Sequence, residues 1–117
     1  MRILVVEDNP ERNKWFKSIF PMADFAIDAE TGVKCVTENV YDSIFLDHDL
    51  GDRVFVDSED MNTGFQVAKK IKETENMNAQ IIVHSLNPTG AQNIKGILPQ
   101  AQIVPFFELR NNIRIKI

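Results

Sequence analysis

The sequence lacks the features that define several large classes of protein. It has one cysteine, Cys35, so no disulfide can form within the chain. The position of Cys35 in a helix-like stretch indicates a small buried side chain rather than a reactive thiol. No apolar run approaches the roughly 20 residues that span a bilayer, and no basic leader precedes an apolar stretch. We therefore expect a cytoplasmic protein with no membrane partner.

An excess of positive charge is also missing. The chain has 13 basic and 17 acidic residues, which gives a formal net charge of -4. A balance of this sign provides no general attraction to bulk DNA or to anionic membranes. The 117 residues are enough for one compact core, and no repeat or linker divides them. We expect a single domain over residues 1–117.

Apolar runs alternate with helix-like stretches along the chain. The predicted strands cover residues 2–6, 24–28, 42–47, 79–84 and 102–106. Helices are predicted after Asn9, through Val33 and Val36, after a capping box over residues 63–66, and after the cap Asn87. Five strands joined by helices imply right-handed crossovers and a doubly wound, mainly parallel α/β sheet.

The end of the chain departs from this alternation. We see no fifth helix in the pattern, because Ile113, Ile115 and Ile117 alternate with Arg114 and Lys116. Alternation over residues 110–117 is typical of a half-exposed strand. We predict an extra C-terminal strand at a sheet edge, where it would also allow a homodimer.

Polar side chains follow three of the predicted strands. They are Glu7 and Asp8 after the first, Asp47, His48 and Asp49 after the third, and His84 and Ser85 after the fourth. The carboxyl ends of parallel strands meet at one edge, where ligands of such sheets bind. Carboxylate oxygens suit Mg²⁺, and imidazoles can act as general acid and base. Since neighbours in a strand point to opposite faces, both residues of each Asp47–His48 or His84–Ser85 pair reach this edge only if the chain turns.

The run Val5-Val6-Glu7-Asp8-Asn9, together with Asp47 and Ser85, resembles the two-component receiver domain, a flavodoxin-like fold. The order of elements agrees over nearly the whole length. The resemblance implies that Glu7, Asp8, Asp47 and the backbone of Asp49 hold Mg²⁺. It also implies that Asp47 is the phosphoacceptor for a kinase or small phosphodonor, and that Ser85 contacts the phosphoryl group. Val104 stands where receivers have a lysine before the proline.

A narrower resemblance covers Leu46-Asp47-His48-Asp49-Leu50-Gly51, Thr63-Gly64 and the run from His84 to Gly90. These segments are similar to the cyclic-phosphate-processing receiver family. The resemblance implies hydrolysis of a cyclic phosphate on a nucleotide or RNA end, with Mg²⁺ or Mn²⁺ as cofactor. In that family His48 and His84 would be general acid and base, beside the metal ligand Asp47. Ser85, Asn87, Thr89 and Gly90 would bind the phosphate.

The residues leave several alternatives open. Asp49 is either a metal ligand through its side chain or a turn residue that caps its own loop. The long connection over residues 51–61 is either a lid or a solvated loop. The chain as a whole could instead be a single-domain response regulator phosphorylated on Asp47, or a degenerate receiver used as a binding module.

Overall fold

The computed structural model describes residues 1–111. Its strands are β1 (Ile3–Val6), β2 (Asp24–Ala26), β3 (Ser43–Leu46), β4 (Gln80–Val83) and β5 (Gln102–Ile103). Its helices are α1 (Pro10–Ile19), α2 (Ala29–Glu38), α3 (Gly64–Lys72), α4 (Pro88–Ile97) and α5 (Phe106–Asn111), with a 3₁₀ turn at Glu75–Asn78. The strands form one sheet in the order β2-β1-β3-β4-β5, and every pairing is parallel. The predicted doubly wound α/β sheet is confirmed.

The sheet is buried on both faces, which explains why its central strands are continuous apolar runs. Alternate residues of β1, β3 and β4 pack with α2, α3 and α4 in one core, shown by Leu4, Ile44 and Ile81. The residues between them, such as Val5 and Phe45, pack with α1 and α5 in a second core. Among residues 1–111, no helix is both long and apolar enough to cross a membrane.

Side-chain caps fix where three helices begin. Asn9, Asp28 and Asn87 each accept a hydrogen bond from a backbone N–H in the first turn of α1, α2 and α4. The predicted capping box at the start of α3 is wrong, because Thr63 makes no side-chain cap bond. Its hydroxyl instead donates to the carbonyl of Asp60 at 3.0 Å. The Thr63 hydroxyl therefore bonds to the preceding loop and does not cap the helix.

The carboxyl-terminal region differs from the prediction. The chain does form a fifth helix, the six-residue α5, so its predicted absence is wrong. Phe106 and Leu109 lie three residues apart and are both buried in the second core, whereas Phe107 between them is 56% exposed. Because Phe107 is apolar although it is exposed, the sequence does not show the helical spacing of the buried Phe106 and Leu109. The strand predicted over residues 110–117 is wrong at Arg110 and Asn111, which are helical, and its remaining part, residues 112–117, lies outside the described residues.

Candidate functional site

Register brings three polar side chains together at the carboxyl edge of the sheet. Val6 pairs with Leu46, and Leu46 pairs with Val83. The ladder continues by one residue, because the amide of Asp47 donates to Val6 and that of His84 donates to Leu46. Glu7, Asp47 and His84 are therefore adjacent in space, one at the end of each of the three strands.

These three residues form a buried Glu–Asp–His cluster. One carboxylate or imidazole atom from each of Glu7, Asp47 and His84 lies within 4.8 Å of the others, and all three residues are buried. Two carboxylates and an imidazole are a donor set that suits a divalent metal ion. The donor set of the cluster thus fits the divalent metal that the family resemblance implies, whereas Asp8, a predicted ligand, lies outside the cluster and lines the cleft beside it.

Glu7 is held in its ionised form by donors around it. Its Oε1 accepts from His84 Nε2 at 2.9 Å, and its Oε2 accepts from the amide of Asn9 at 3.0 Å. Burial alone would raise the pKa of Glu7, but the hydrogen bond and positive charge of His84 outweigh it and lower the pKa to about 2. The carboxylate of Glu7 therefore supplies a fixed negative charge inside the cluster.

Asp47 lies beside that charge and responds in the opposite direction. Burial, followed by the negative charge of Glu7, raises the pKa of Asp47 well above its ordinary value. The nearest cation is Arg12, whose Nη1 lies 3.8 Å from Asp47 Oδ2 and 3.6 Å from Glu7 Oε1. Asp47 is thus the carboxylate of the cluster whose charge is poorly compensated, and a bound cation would favour its ionised form.

A cleft of about 270 Å³ is bordered by one member of the cluster, Asp47. Its lining includes Asp8, Arg12, Asp47, Phe55 and Leu86. Asp8 is half-buried, and its Oδ2 accepts from the amide of Asp52 at 2.5 Å. Burial and then the charge of Glu7 raise the pKa of Asp8, against the effect of that hydrogen bond. Asp8 thus borders the cleft while holding the loop that covers it.

His48 points away from the cluster, as strand alternation requires. It is fully buried, with Nδ1 2.8 Å from Asp49 Oδ1 and Nε2 2.7 Å from Ser58 Oγ. Asn87 donates to the same Asp49 oxygen at 3.0 Å. We call His48, Asp49, Ser58 and Asn87 the His48 group. The two histidines that the sequence paired thus belong to two different hydrogen-bonded sets.

The side chain of Asp49 acts as the cap of its own loop. Its Oδ2 accepts from the amide of Phe55 at 2.7 Å, and its Oδ1 accepts from Val56 at 3.1 Å. Burial opposes ionisation of Asp49, but the donors from Asn87 and His48 and these amides outweigh it, so its pKa is lowered. These bonds favour the turn interpretation over a side-chain metal ligand.

The residues predicted to bind phosphate divide between two places. Ser85 follows His84 at the end of β4, and its Oγ accepts from the amide of Asn87 at 3.0 Å. Asn87 caps α4 by accepting from the amide of Gly90 at 3.0 Å. Thr89 and Gly90 line a second cavity of about 320 Å³, beside Ser58. They therefore face the His48 group.

Arg12 and Ser58 were not singled out by the sequence. Arg12 lies on α1, and nothing in its local pattern tells whether it faces the sheet edge or solvent. Ser58 lies in the long connection after β3, which has no period to read. One sequence feature does suggest that Arg12 lies near the acidic residues. It falls in the first turn of α1, directly after Glu7, Asp8 and the Asn9 cap.

Solved structures similar to this chain share its fold. Response regulator TrrA of Thermotoga maritima, in complex with Mg²⁺ and BeF, is 22% identical, with 97% of this chain and 96% of that one covered at a TM-score of 0.67. The receiver domain of sensor histidine kinase PA1611 from Pseudomonas aeruginosa, with magnesium in its active site cleft, is 21% identical, with 97% and 90% covered at 0.69. The response regulator domain of CheB from Thermotoga maritima is 16% identical, with 97% and 90% covered at 0.68. Curated proteins gave no match.

The sheet order, the helices on both faces and the polar carboxyl edge define a receiver domain of the flavodoxin-like α/β class. Residues 2–100 match the family described as the cyclic-phosphate processing receiver domain. The chain belongs to that family.

Proposed function

We propose that the cleft is a metal-dependent phosphoesterase site that opens cyclic phosphates on nucleotides or RNA ends. The observation that carries the proposal is the convergence of Glu7, Asp47 and His84 within 4.8 Å, with Asp47 also in the lining of the cleft. The family match adds the class of substrate. The Mg²⁺ in two similar receiver structures supports a cation at this edge of the sheet.

In this proposal Glu7 and Asp47 hold the cation together with His84, whose Nε2 would release the proton that it donates to Glu7. Asp8 stands at the rim of the cleft. When bound, Mg²⁺ or Mn²⁺ would neutralise charge on the phosphate and promote attack by water. The imidazole of His84 adds a donor that Mn²⁺ accepts more readily than Mg²⁺. His48 is left out of this cleft, because its ring nitrogens bond Asp49 and Ser58.

Arg12 supplies the positive side chain for the phosphate. The lysine that receivers carry before the proline of strand five is replaced by Val104, whose side chain packs in the second core. The Arg12 guanidinium lies in the cleft lining, near both carboxylates. A planar guanidinium binds phosphate through two parallel hydrogen bonds, so Arg12 can serve as the missing cation. Ser85 stands at the next strand end as a hydroxyl contact.

The reaction is a hydrolysis in which water adds to phosphorus and one ring P–O bond breaks. The released oxygen takes a proton, which leaves a hydroxyl and a phosphate monoester. The chain's part would be to bind the phosphate through Arg12 and through the residues that hold the cation.

The test is hydrolysis of a nucleoside 2′,3′-cyclic phosphate with Mn²⁺ or Mg²⁺, followed by chromatography of the monophosphate. Asp47→Asn should lose turnover and weaken Mn²⁺ binding measured by calorimetry. Asp42→Asn is the matched control, since Asp42 precedes the same strand at its far end and bonds the amide of Arg2. Mn²⁺ binding without turnover in the unaltered chain would overturn the esterase assignment.

A second candidate is phosphorylation of Asp47 in a phosphorelay. Asp47 lines the cleft at the end of β3, where the receiver resemblance places the phosphoacceptor. A small phosphodonor such as acetyl phosphate, followed by intact mass, separates the two functions. An adduct that Asp47→Asn abolishes would favour signalling. Absence of both an adduct and metal binding would leave a degenerate binding module.

A further inference from the structure

The His48 group contains a serine, a histidine and a carboxylate in a continuous chain of hydrogen bonds. Asp49 Oδ1 lies 2.8 Å from His48 Nδ1, and His48 Nε2 lies 2.7 Å from Ser58 Oγ. The carboxylate and hydroxyl thus occupy opposite nitrogens of one imidazole. This is the order of contacts by which a serine nucleophile is activated in unrelated hydrolases.

Hydrogen-bond accounting fixes where the protons lie. The Asp49 carboxylate only accepts, and it already receives N–H donors from Phe55, Val56 and Asn87. His48 Nδ1 must therefore carry the hydrogen that it shares with Asp49. His48 Nε2 is then free to accept the Ser58 hydroxyl proton. The imidazole is held in the tautomer that a general base needs.

Ser58 also has a donor on its far side. Asn93 Nδ2 lies 3.0 Å from Ser58 Oγ, which accepts from it. Asn93 is on α4, one turn after Gly90, so a rigid helix holds this amide beside the hydroxyl oxygen. In acyl transfer the negative charge develops on the former carbonyl oxygen, so Asn93, which bonds Ser58 Oγ itself, orients the nucleophile and does not form an oxyanion hole.

The group has room for a small substrate. The cavity of about 320 Å³ is lined by Ser58, Asn87, Thr89, Gly90 and Asn93, with Phe55, Val56 and Asp57 on its loop side. His48 lies directly against Gly90 of the lining, because a Cβ added to this glycine would lie 2.4 to 2.6 Å from atoms of the imidazole ring. The glycine lets the start of α4 pack directly on the histidine.

We propose that Ser58, His48 and Asp49 form a second, nucleophilic site that takes an acyl group from small carboxylic esters. Ser58 and His48 are its catalytic residues, and Asp49 is a positioning residue. Asn93 orients the Ser58 hydroxyl, and the start of α4 would border the acyl group in the cavity. The site shares no residue with the Glu–Asp–His cluster, so it stands or falls independently of the metal-dependent phosphoesterase.

The chemistry balances without any added cofactor. Ser58 Oγ forms a bond to the carbonyl carbon, and its proton moves to His48 Nε2. The ester C–O bond then breaks, and the departing alkoxide takes that proton and leaves as an alcohol. Water repeats the sequence on the acyl-serine, with His48 accepting its proton, and releases the carboxylic acid.

The test uses an alkyl fluorophosphonate on the full chain. In this reaction Ser58 Oγ would bond to phosphorus, fluoride would leave, and the proton would pass to His48. We expect one adduct by intact mass, placed on Ser58 by peptide mapping. His48→Gln should slow its formation roughly tenfold or more. Ser18→Ala, at an exposed serine of α1, is the matched control and should label at the original rate.

The mapping needs no variant to fold, so the unaltered chain alone can overturn the proposal. No adduct, or an adduct on any other residue, would show that the His48 group only ties the loop to α4. Equal labelling in His48→Gln, shown to be folded by thermal unfolding, would also overturn it. Hydrolysis of p-nitrophenyl acetate with an initial burst, lost in Ser58→Ala, is the expected second readout.

Discussion

Arg12 is the cation that the fold itself brings to the buried carboxylates. It contacts Glu7 and Asp47 at salt-bridge distances, and its guanidinium lies 5.3 Å above the centre of the Phe106 ring. A divalent ion between the same carboxylates would repel this group. In the proposed function, Arg12 would therefore balance charge in the metal-free site and turn towards phosphate when a metal is bound.

Replacing Arg12 tests this balance. Arg12→Gln should raise the affinity for Mn²⁺ about tenfold, because a positive charge a few ångströms away opposes the ion by at least about 1 kcal/mol. Calorimetric titration measures the change. Lys17→Gln is the control, since Lys17 on the same helix lies over the Phe25 ring. Unchanged or weaker Mn²⁺ binding in Arg12→Gln would contradict the competition.

Removing the charge of Asp47 should stabilise the metal-free protein. Burial and Glu7 raise the folded pKa of Asp47 above its ordinary 3.8, so its ionisation opposes folding as pH rises from that value. We expect Asp47→Asn to gain about 1 kcal/mol at pH 7 in urea unfolding with chelator present. The gain should shrink towards pH 4. A gain that does not change with pH would contradict this origin.

How far single residues could be predicted depends on regular structure. Glu7, Asp47 and His84 were identified because each follows a strand whose period is plain, and parallel register then places them together. Arg12 could not be placed, since its reach depends on how α1 lies across the sheet. Ser58 follows an irregular loop, where no periodicity connects sequence to position.

The loop between β3 and α3 is the strained element of the structure. Gly51, Asp52 and Phe55 have φ values of 75°, 58° and 53°. Such values suit glycine, but a bulky residue in this region is an outlier that costs about 1 kcal/mol or more. Phe55 is also 73% exposed and lines both cavities. Strain held at a residue between two candidate sites points to a role in ligand contact.

A pair of substitutions at the loop tip tests the strain. Phe55→Asn should raise the free energy of unfolding by about 0.5 to 1 kcal/mol, because asparagine tolerates positive φ better. Val54→Asn is the matched control, since Val54 is 79% exposed and has no positive φ. Urea denaturation measures both. Equal effects of the two changes would mean that φ at Phe55 carries no strain.

Two helix glycines, Gly64 and Gly96, should respond in opposite directions to replacement by alanine. A Cβ on Gly64, at the start of α3, would lie 1.9 Å from the Asp47 carbonyl oxygen, whereas one on Gly96 in α4 meets nothing within 4 Å. Gly64→Ala should destabilise the fold by about 3 kcal/mol or more through backbone displacement. Gly96→Ala should stabilise it by up to about 1 kcal/mol through helix propensity. Thermal unfolding distinguishes them, and tolerance of alanine at Gly64 would contradict the close contact.

Elements were predictable where caps and periods agree. Asn9 and Asn87 predict the starts of α1 and α4, and each helix begins at the residue after its cap. The start of α3 was also found, although the bonds that Thr63 and Gln66 make run to the loop and not to the helix end. The six-residue α5 was missed because a helix of that length presents only one repeat of its period.

At the scale of the whole molecule, metal binding and folding should be linked. The cluster joins β1, β3 and β4, so a bound ion would stabilise the central sheet and not a single loop. Mn²⁺ at 100 times its dissociation constant should add about 2.7 kcal/mol to the free energy of unfolding. Chemical denaturation with and without Mn²⁺ measures this, and an equal gain in Asp47→Asn would contradict the proposed ligands.

The architecture was the most predictable feature of the chain. Apolar runs of strand length, separated by amphipathic stretches, leave little choice other than a parallel sheet with helices on both faces. The sequence also indicated which edge is polar. Strand alternation predicted that Asp47 and His48 share this edge only if the chain turns, and in the structure His48 bonds Ser58 whereas His84 bonds Glu7.

The chain has one tryptophan, and it stands next to the proposed phosphate contact. Trp15 lies one turn after Arg12 on α1, and its ring packs edge-on against Phe106, the ring that the guanidinium covers. Any ligand that draws Arg12 off Phe106 changes the surroundings of the indole. Ligand binding in the cleft should therefore change the fluorescence emission of Trp15, so binding can be measured without an attached dye.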